Sequence, residues 1–514
     1  MRRLFSWLAL GLSALAAAQA PITITVLHTN DLHARVEPAM IQRRPYGGYA
    51  RQATLIKRFR ASDPNPVLLN GGDTFQGTLY FNVYEGLAEA AFMNMVGYQA
   101  MAVGNHEFDR GPKTLAEFAK VVKFPLLAAN LDVSAEPELR DLIKASTIIE
   151  VGGQKVGVVG AITPDTPSIS SPGPNVKFLD LHTTVQRAVD DLKAQGINKI
   201  MLVSHVGLSG ERRMAREIRG LDVIVGGHSH SLLGNDDFPT GFPGPSGKYP
   251  MVENNADGPC LVLSSWEWGK VFGRVKVDFD AQGKVLKWND ASPVLVDDSI
   301  PEDPNVAALI AALKKPIANL SNEVIGSTPT GLGKAHDGGR GFESTMGNVI
   351  TDAMLEATKG QGSVAAFTNQ GGIRSAIDPG DITFGGAITV VPFSNTLVIM
   401  ELTGAEIKAA LEHGADRTGG LLHPSIMSGY DLNMSKPVGE RVSNVRIGGE
   451  PLDLNKIYKV TINSFTASGG DGHEVLKNAK GARVDTGFVD IDVLVAYFKK
   501  HSPVERKLEG RIKQ

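Results

Sequence analysis

Short aliphatic and β-branched runs alternate with amphipathic stretches over the first 300 positions. The runs Ile22–Leu27, Val67–Asn70, Ala100–Val103, Val156–Val159, Lys199–Val203 and Asp222–Val225 have the length and apolar continuity of buried strands. Between them, 48–60, 85–95, 183–194 and 211–219 carry apolar residues at helical spacing. Strand and helix in alternation predict an α/β fold. Near residue 300 the pattern breaks at Pro301, Asp303 and Pro304. An amphipathic helix follows over 305–320 and reads as a connector. Beyond it a second, α+β unit is predicted, with helices over 347–357, 404–411 and 490–499. The predicted organisation is therefore 21–298, a linker over 299–322, and 323–514, after a segment 1–20 that differs from all of it.

That first segment has a basic start (Arg2, Arg3), an apolar stretch from Leu4 to Ala18, and the small-residue pattern Ala18-Gln19-Ala20. It is expected to be a secretory signal peptide rather than a membrane span. Pro21 disfavours a cut directly before it and shifts the expected cut to Ala18. No cysteine lies near enough for a lipid anchor, and the polar C-terminus offers no second one. The expected location is periplasmic or secreted, with no membrane anchor after cleavage.

Composition narrows the remaining classes. At 514 residues, 42% hydrophobic and 21% charged, the chain is globular and long enough for at least two cores. Its single cysteine, Cys260, excludes an intramolecular disulfide. A net charge of -3 with no long basic run argues against nucleic acid or anionic membrane as the main partner.

Metal-ligating residue types collect just after the predicted strands. Asp31 and His33 lie in LHTNDLHA, Asp73 in GGDTFQG, and Asn105, His106 and Asp109 in GNHEFD. His205 lies in SHVG, and His228 and His230 in GGHSH. Loops past strand C-termini share one edge of an α/β sheet, so remote segments can converge there. Asp, His and Asn without thiolates suit zinc, manganese or cobalt. The spacing of two in Asp31/His33 and His228/His230 puts each pair on one face of an extended segment. Nearby glycines allow sharp turns. Any one motif alone reads equally as a capped turn; five at successive strand ends do not.

This ordered set resembles the calcineurin-like metallophosphoesterase superfamily and, within it, the 5'-nucleotidase / UDP-sugar hydrolase family. The resemblance covers nearly the whole chain after residue 20. It implies a four-layer αββα catalytic domain and a C-terminal substrate-binding domain. It also implies two divalent metal ions: a first site of Asp31, His33, Asp73 and His230, and a second of Asp73, Asn105, His205 and His228. Asp73 bridges them, and a metal-bound hydroxide attacks phosphorus. By the same pattern His106 faces the phosphoryl oxygen, and Asp109 keeps it charged and oriented. Some members carry Gln or Asn at the position of His230, a departure that bears on the first site.

In the second unit, NQGGIRS supplies Asn369 and Arg374, PFSN supplies Phe393 and Asn395, SFTASGGDGH supplies Phe465 and Asp471, and GGRGFESTMGN supplies Arg340. Two aromatic rings can sandwich a base, Asp471 can accept from ribose hydroxyls, and the arginines can hold phosphate. Read alone, the phenylalanines are by default core residues and SGGDG is most often a tight turn. The resemblance favours base stacking, and domain rotation to bring substrate to the metals.

The resulting expectation is an exported hydrolase of nucleoside 5'-monophosphates. Alternatives are a UDP-sugar or dinucleotide pyrophosphatase, a 2',3'-cyclic phosphodiesterase, and, from another class, a catalytically dead nucleotide-binding receptor. The complete ligand set separates an enzyme from the receptor.

Overall fold

The computed structural model describes residues 20–42, 44–334, 342–416 and 420–514. The expected signal segment and Arg340 lie outside them. All six predicted strands form, with ends shifted by up to three residues, as Ile22–Thr29, Pro66–Asn70, Ala100–Ala102, Gln154–Ile162, Ile200–His205 and Val223–Val225.

They belong to two sheets, as the four-layer αββα expectation requires. In the first, Ile22–Thr29, Pro66–Asn70, Ala100–Ala102 and Leu126–Leu127 run parallel, with Val271–Phe279 antiparallel on the outer side of Ile22–Thr29. In the second, Gln154–Ile162, Ile200–His205, Val223–Val225 and Gly258–Leu263 run parallel between two antiparallel edge strands. Alternation along each strand explains why the sheets stack. Val26, Val67, Leu69 and Ala100 meet Val156, Val158, Met201, Val203, Val223 and Val225 in one core between the sheets. Their neighbours Leu27, Leu68 and Met101 face outward onto Tyr49, Ala53, Ile56 and Phe92 of the helices Tyr49–Ser62 and Leu87–Val96. On the far side Val159, Ala161, Leu202 and Ile224 pack on Val185, Val189, Leu192 and Met214 of two further helices. Helix, sheet, sheet, helix is the four-layer arrangement.

The connector is the helix Pro304–Ser321, capped by Asp303, whose side chain accepts from the N–H groups of Asn305 and Val306 and pairs with Lys57. It packs on Tyr49–Ser62 and Leu79–Tyr84 on one side and on Phe384–Val390 on the other. The apolar core against which it lies continues into Met346, Val349, Ile350 and Ile388. The second domain is built on a five-stranded sheet, ordered Leu422–Pro424, Ala365–Asn369, Ile457–Asn463, Thr396–Thr403 and Arg483–Val489. Among the described residues no helix is long and apolar enough to cross a membrane.

Candidate functional site

The two sheets bring their C-terminal loops to one place. Asp31 and His33 follow Ile22–Thr29, Asp73 follows Pro66–Asn70, and Asn105 and His106 follow Ala100–Ala102 in the first sheet. His205 ends Ile200–His205, and His228 and His230 follow Val223–Val225 in the second. Asp31, His33 and His230 present donor atoms that lie within 4.8 Å of one another, as do Asp73, His205 and His228.

The local backbone differs from the extended segments expected. Asp31, His33, Asp73, His228 and His230 all have left-handed φ, of 50°, 48°, 54°, 75° and 45°. The spacing of two works because these residues lie in tight turns, where ladder-like hydrogen bonds clamp one loop to the next. The N–H of Asp31 donates to Gly72 O at 3.0 Å, that of His33 to Asp73 O at 3.0 Å, and that of Ala34 to Thr74 O at 2.8 Å. Two glycines serve close approach: a Cβ on Gly104 would sit 2.2 Å from Asp73 Oδ1, and one on Gly227 2.5 Å from Gly71 O.

The imidazoles are anchored from behind. Nδ1 of His33 is 3.1 Å from Phe75 O, Nδ1 of His205 is 2.7 Å from Gly71 O, and Nδ1 of His230 is 2.5 Å from Glu267 Oε2. Each Nε2 therefore points to the centre. There Nε2 of His33 and Nε2 of His230 face each other at 3.0 Å, and Nε2 of His230 lies 3.2 Å from Asp31 Oδ1. Nε2 of His205 lies 2.9 Å from Asp73 Oδ2 without hydrogen-bond geometry to it. Nδ1 of His228 lies 2.9 Å from Asn105 Oδ1. Lewis-basic atoms at such separations need a hydrogen-bonding proton or a cation between them. Burial pulls His205 and His230 down, but the carboxylate of Asp73 raises the first to about 10, and those of Asp31 and Glu267 raise the second to about 9. Burial and neighbouring imidazoles lower His33 and His228, the latter to about 4. A set of buried and half-buried Asp, His and Asn donors, with the imidazoles of His33, His205 and His230 anchored at Nδ1, fits divalent cations.

His106 adjoins these residues, with a donor atom within 4.8 Å of those of His33 and Asp73. Its Nδ1 is 2.6 Å from Asp109 Oδ2, and its Nε2 is 3.9 Å from Asp73 Oδ2. Burial opposes its charge, yet Asp109 and Asp73 raise its pKa above the usual value. Asp109 does not cap a helix with its side chain. Its carboxylate instead accepts from Ser170 Oγ at 2.8 Å and from Gln76 Nε2 at 3.3 Å, leaving it fixed toward His106.

The second domain reaches this centre. The ring of Phe393 stacks on His106 with centroids 5.7 Å apart and planes 17° from parallel. Arg374 lies 5.7 Å from the same ring, and with His33, Arg35, Gln76 and Trp268 it lines a small cleft. Asn369 donates to Asp471 Oδ2 at 2.6 Å and is itself held by Asn463 at 2.9 Å. His413 lies 2.9 Å from the Asp471 carbonyl. Asn395 is turned to Asp490 Oδ2 at 3.3 Å, and Phe465 is half-buried beside Gly470. The Gly470–Gly472 turn lies against Thr166–Ile169 of the first domain.

Four supporting residues were not read from the sequence. Glu107, fully buried, accepts from the N–H groups of Asp73, Thr74, Phe75 and Gly104. Glu267 and Lys270 lie in SSWEWGK, and their signal is charge placed between tryptophans at a strand end. Arg35 completes the wall of the cleft, one of its faces over Trp268.

Family comparison agrees with this layout. The model of the calcineurin-like phosphoesterases matches residues 24–232, and that of the 5'-nucleotidase C-terminal domain matches 324–478. The chain is 39% identical to a 5'-nucleotidase of Diplobatis ommata over 96% of its length and 90% of that protein's. To the human 5'-nucleotidase it is 36% identical, over 98% and 93%. Among solved structures, a 5'-nucleotidase precursor from Thermus thermophilus is 44% identical, with a TM-score of 0.90 over 96% of this chain and 99% of that one.

Proposed function

The chain belongs to the 5'-nucleotidase family of hydrolases, and on that premise we propose that it is an exported two-metal enzyme releasing phosphate from nucleoside 5'-monophosphates. The observation that carries the reading is the convergence of anchored imidazoles and carboxylates, Nε2 against Nε2 at 3.0 Å and Nε2 against carboxylate at 2.9 Å and 3.2 Å. Asp31, His33, Asp73 and His230 would hold one cation; Asp73, Asn105, His205 and His228 would hold the other. Divalent cations there supply Lewis acidity, which makes a water nucleophilic near neutral pH and offsets charge on the phosphoryl oxygens.

The protein's own groups do the rest. His106, kept charged by Asp109, donates to a phosphoryl oxygen as negative charge grows on it, an interaction strongest in the transition state. Arg374 adds a second positive group from the other domain, oriented along the wall with Arg35. Phe393 and Phe465 offer faces to the base, while Asp471, oriented by Asn369, accepts from ribose hydroxyls. Export is supported by the basic and apolar start of the chain.

Phosphate release from AMP tests the reading, alongside a panel of UDP-glucose, NAD and 2',3'-cyclic AMP. Turnover of AMP that chelation abolishes and zinc or manganese restores is expected. Turnover indifferent to chelation would refute the metal assignment. Tight AMP binding without turnover, metals present, would favour the receptor. Fractionation of producing cells tests export.

A further inference from the structure

The segment after the strand Gly258–Leu263 passes directly beneath the centre, and its conformation is costly. Trp266 and Trp268 both have left-handed φ, 64° and 60°, in a region that bulky side chains rarely adopt. The surroundings hold them there. The N–H of Trp268 donates to Asp31 O at 2.7 Å and that of Trp266 to Ser231 O at 3.2 Å. Asn30 Nδ2 reaches both Trp266 O, at 2.6 Å, and Asp31 Oδ2, at 2.7 Å. The segment is thus tied to the two loops that carry Asp31 and His230.

Between the tryptophans, Glu267 uses its two oxygens on different partners. Oε2 is 2.5 Å from Nδ1 of His230, and Oε1 accepts from Lys270 Nζ at 2.8 Å. Lys270 is 2% exposed, its ammonium 3.4 Å from the Trp266 ring centroid and 4.1 Å from that of Trp268. Stacked cations and rings of this kind are stabilised when desolvated. A carboxylate required only to neutralise Lys270 has no need to turn its other oxygen to an imidazole. Here that oxygen fixes the ring plane of His230 and places the ring proton on Nδ1, so that Nε2 is aimed at Asp31 and His33.

We propose that Glu267, held by Lys270 against Trp266 and Trp268, is a positioning residue that sets the affinity of the ion bound by Asp31, His33 and His230, and of that ion alone. The proposal rests on the divalent-ion reading above. A carboxylate behind a ligand imidazole makes it a stronger donor and prevents ring rotation, and its loss typically costs about 10–100-fold in metal affinity.

The test uses the full chain, stripped of metal by chelator and titrated with manganese or zinc in a calorimeter. Wild type is expected to bind two ions. Glu267→Ala should weaken one of them by about 10–100-fold and leave the other unchanged. Glu267→Gln, which keeps shape but serves only one of its two partners well, should weaken the same ion by less. Lys270→Met, which keeps the apolar contact with both rings, should act in the same direction. Melting of the metal-free proteins provides the readout that a structural role would move. Equal weakening of both ions, accompanied by a lower metal-free melting temperature, would overturn the proposal. So would two-ion binding by Glu267→Gln that matches wild type. Should wild type bind no ion, the metal reading itself falls and this proposal with it. Should Glu267→Ala fail to fold, Glu267→Gln and Lys270→Met decide.

Discussion

Replacing Glu107 by glutamine probes how far one carboxylate builds the centre. Oε1 of Glu107 accepts from the Thr74 N–H at 2.7 Å, the Thr74 hydroxyl at 3.0 Å and the Phe75 N–H at 3.2 Å. Oε2 accepts from the Asp73 N–H at 3.0 Å and the Gly104 N–H at 2.6 Å. Every partner is a donor, so an amide group cannot fit in either orientation. With its nitrogen on the Oε2 side, the better choice, glutamine loses two bonds and sets donor against donor. Hydrogen bonds to a charged acceptor contribute about 1.5–3 kcal/mol each, so the loss is about 3–6 kcal/mol. For a domain of this size that lowers the melting temperature by roughly 10 °C. Alanine removes all five bonds but admits water, so the two variants should be similarly destabilised despite glutamine's near-identical shape. The assay is thermal unfolding of the chelator-treated protein, taking the first transition because two domains need not melt together. A glutamine variant melting within a degree or two of wild type would show that Glu107 does not carry these loops.

Other outcomes follow from the same geometry. His106→Ala should lower kcat by about 10²–10³-fold with little change in KM, measured by phosphate release from AMP. Phe393→Ala and Phe465→Ala should instead raise KM for AMP by about 5–150-fold each, corresponding to about 1–3 kcal/mol of stacking. Saturating zinc or manganese at about 1,000 times its dissociation constant should stabilise the first domain by about 4 kcal/mol per ion against chelated protein, read from urea midpoints. Glu89, fully buried, is pushed up to about 8 by burial. Its folded value lies above its unfolded one, so its favourable contribution is full at acidic pH and is lost as pH rises through about 8. Glu89→Gln should therefore gain stability relative to wild type between pH 5 and pH 9, compared by urea midpoints at both ends.

Much of this was legible in the chain because the responsible signals are local. Strands buried on both faces read as continuous apolar runs, and Val156–Val159 or Val223–Val225 could hardly be anything else. Division of those runs between two sheets was not local. It depends on antiparallel partners such as Val271–Phe279, whose alternating burial gives no indication of which strand it will join. The ligand types stood at strand ends and were visible there. The residues behind them were not, because Glu107 and Glu267 are ordinary acidic residues until the fold turns backbone donors or an imidazole toward them. In the second domain, the pairing of Asn369 with Asp471 spans 102 positions, beyond any spacing argument.

The left-handed residues account for a further part that no pattern could reveal. A φ near +50° on Asp or His is uncommon and costs energy, yet it occurs at Asp31, His33, Asp73, His228 and His230 together. The same conformation lets His33 and Asp31 point inward from consecutive turns while their N–H groups donate to the Gly72 and Asp73 carbonyls. It also frees the N–H of His228 to donate to both oxygens of Asp31, at 3.0 Å and 3.1 Å. Loop is thus bonded to loop across the two sheets, and the strain persists because each turn is held by its neighbour. Relaxing any one turn to ordinary geometry would break a bond in the next, so the ligands are expected to keep their places before any ion arrives. The rigid half of the cleft is therefore the one that carries Asp31, His33, Asp73, His228 and His230. On the proposed function, adjustment to a nucleoside is expected of the half that carries Phe393, Phe465 and Asp471.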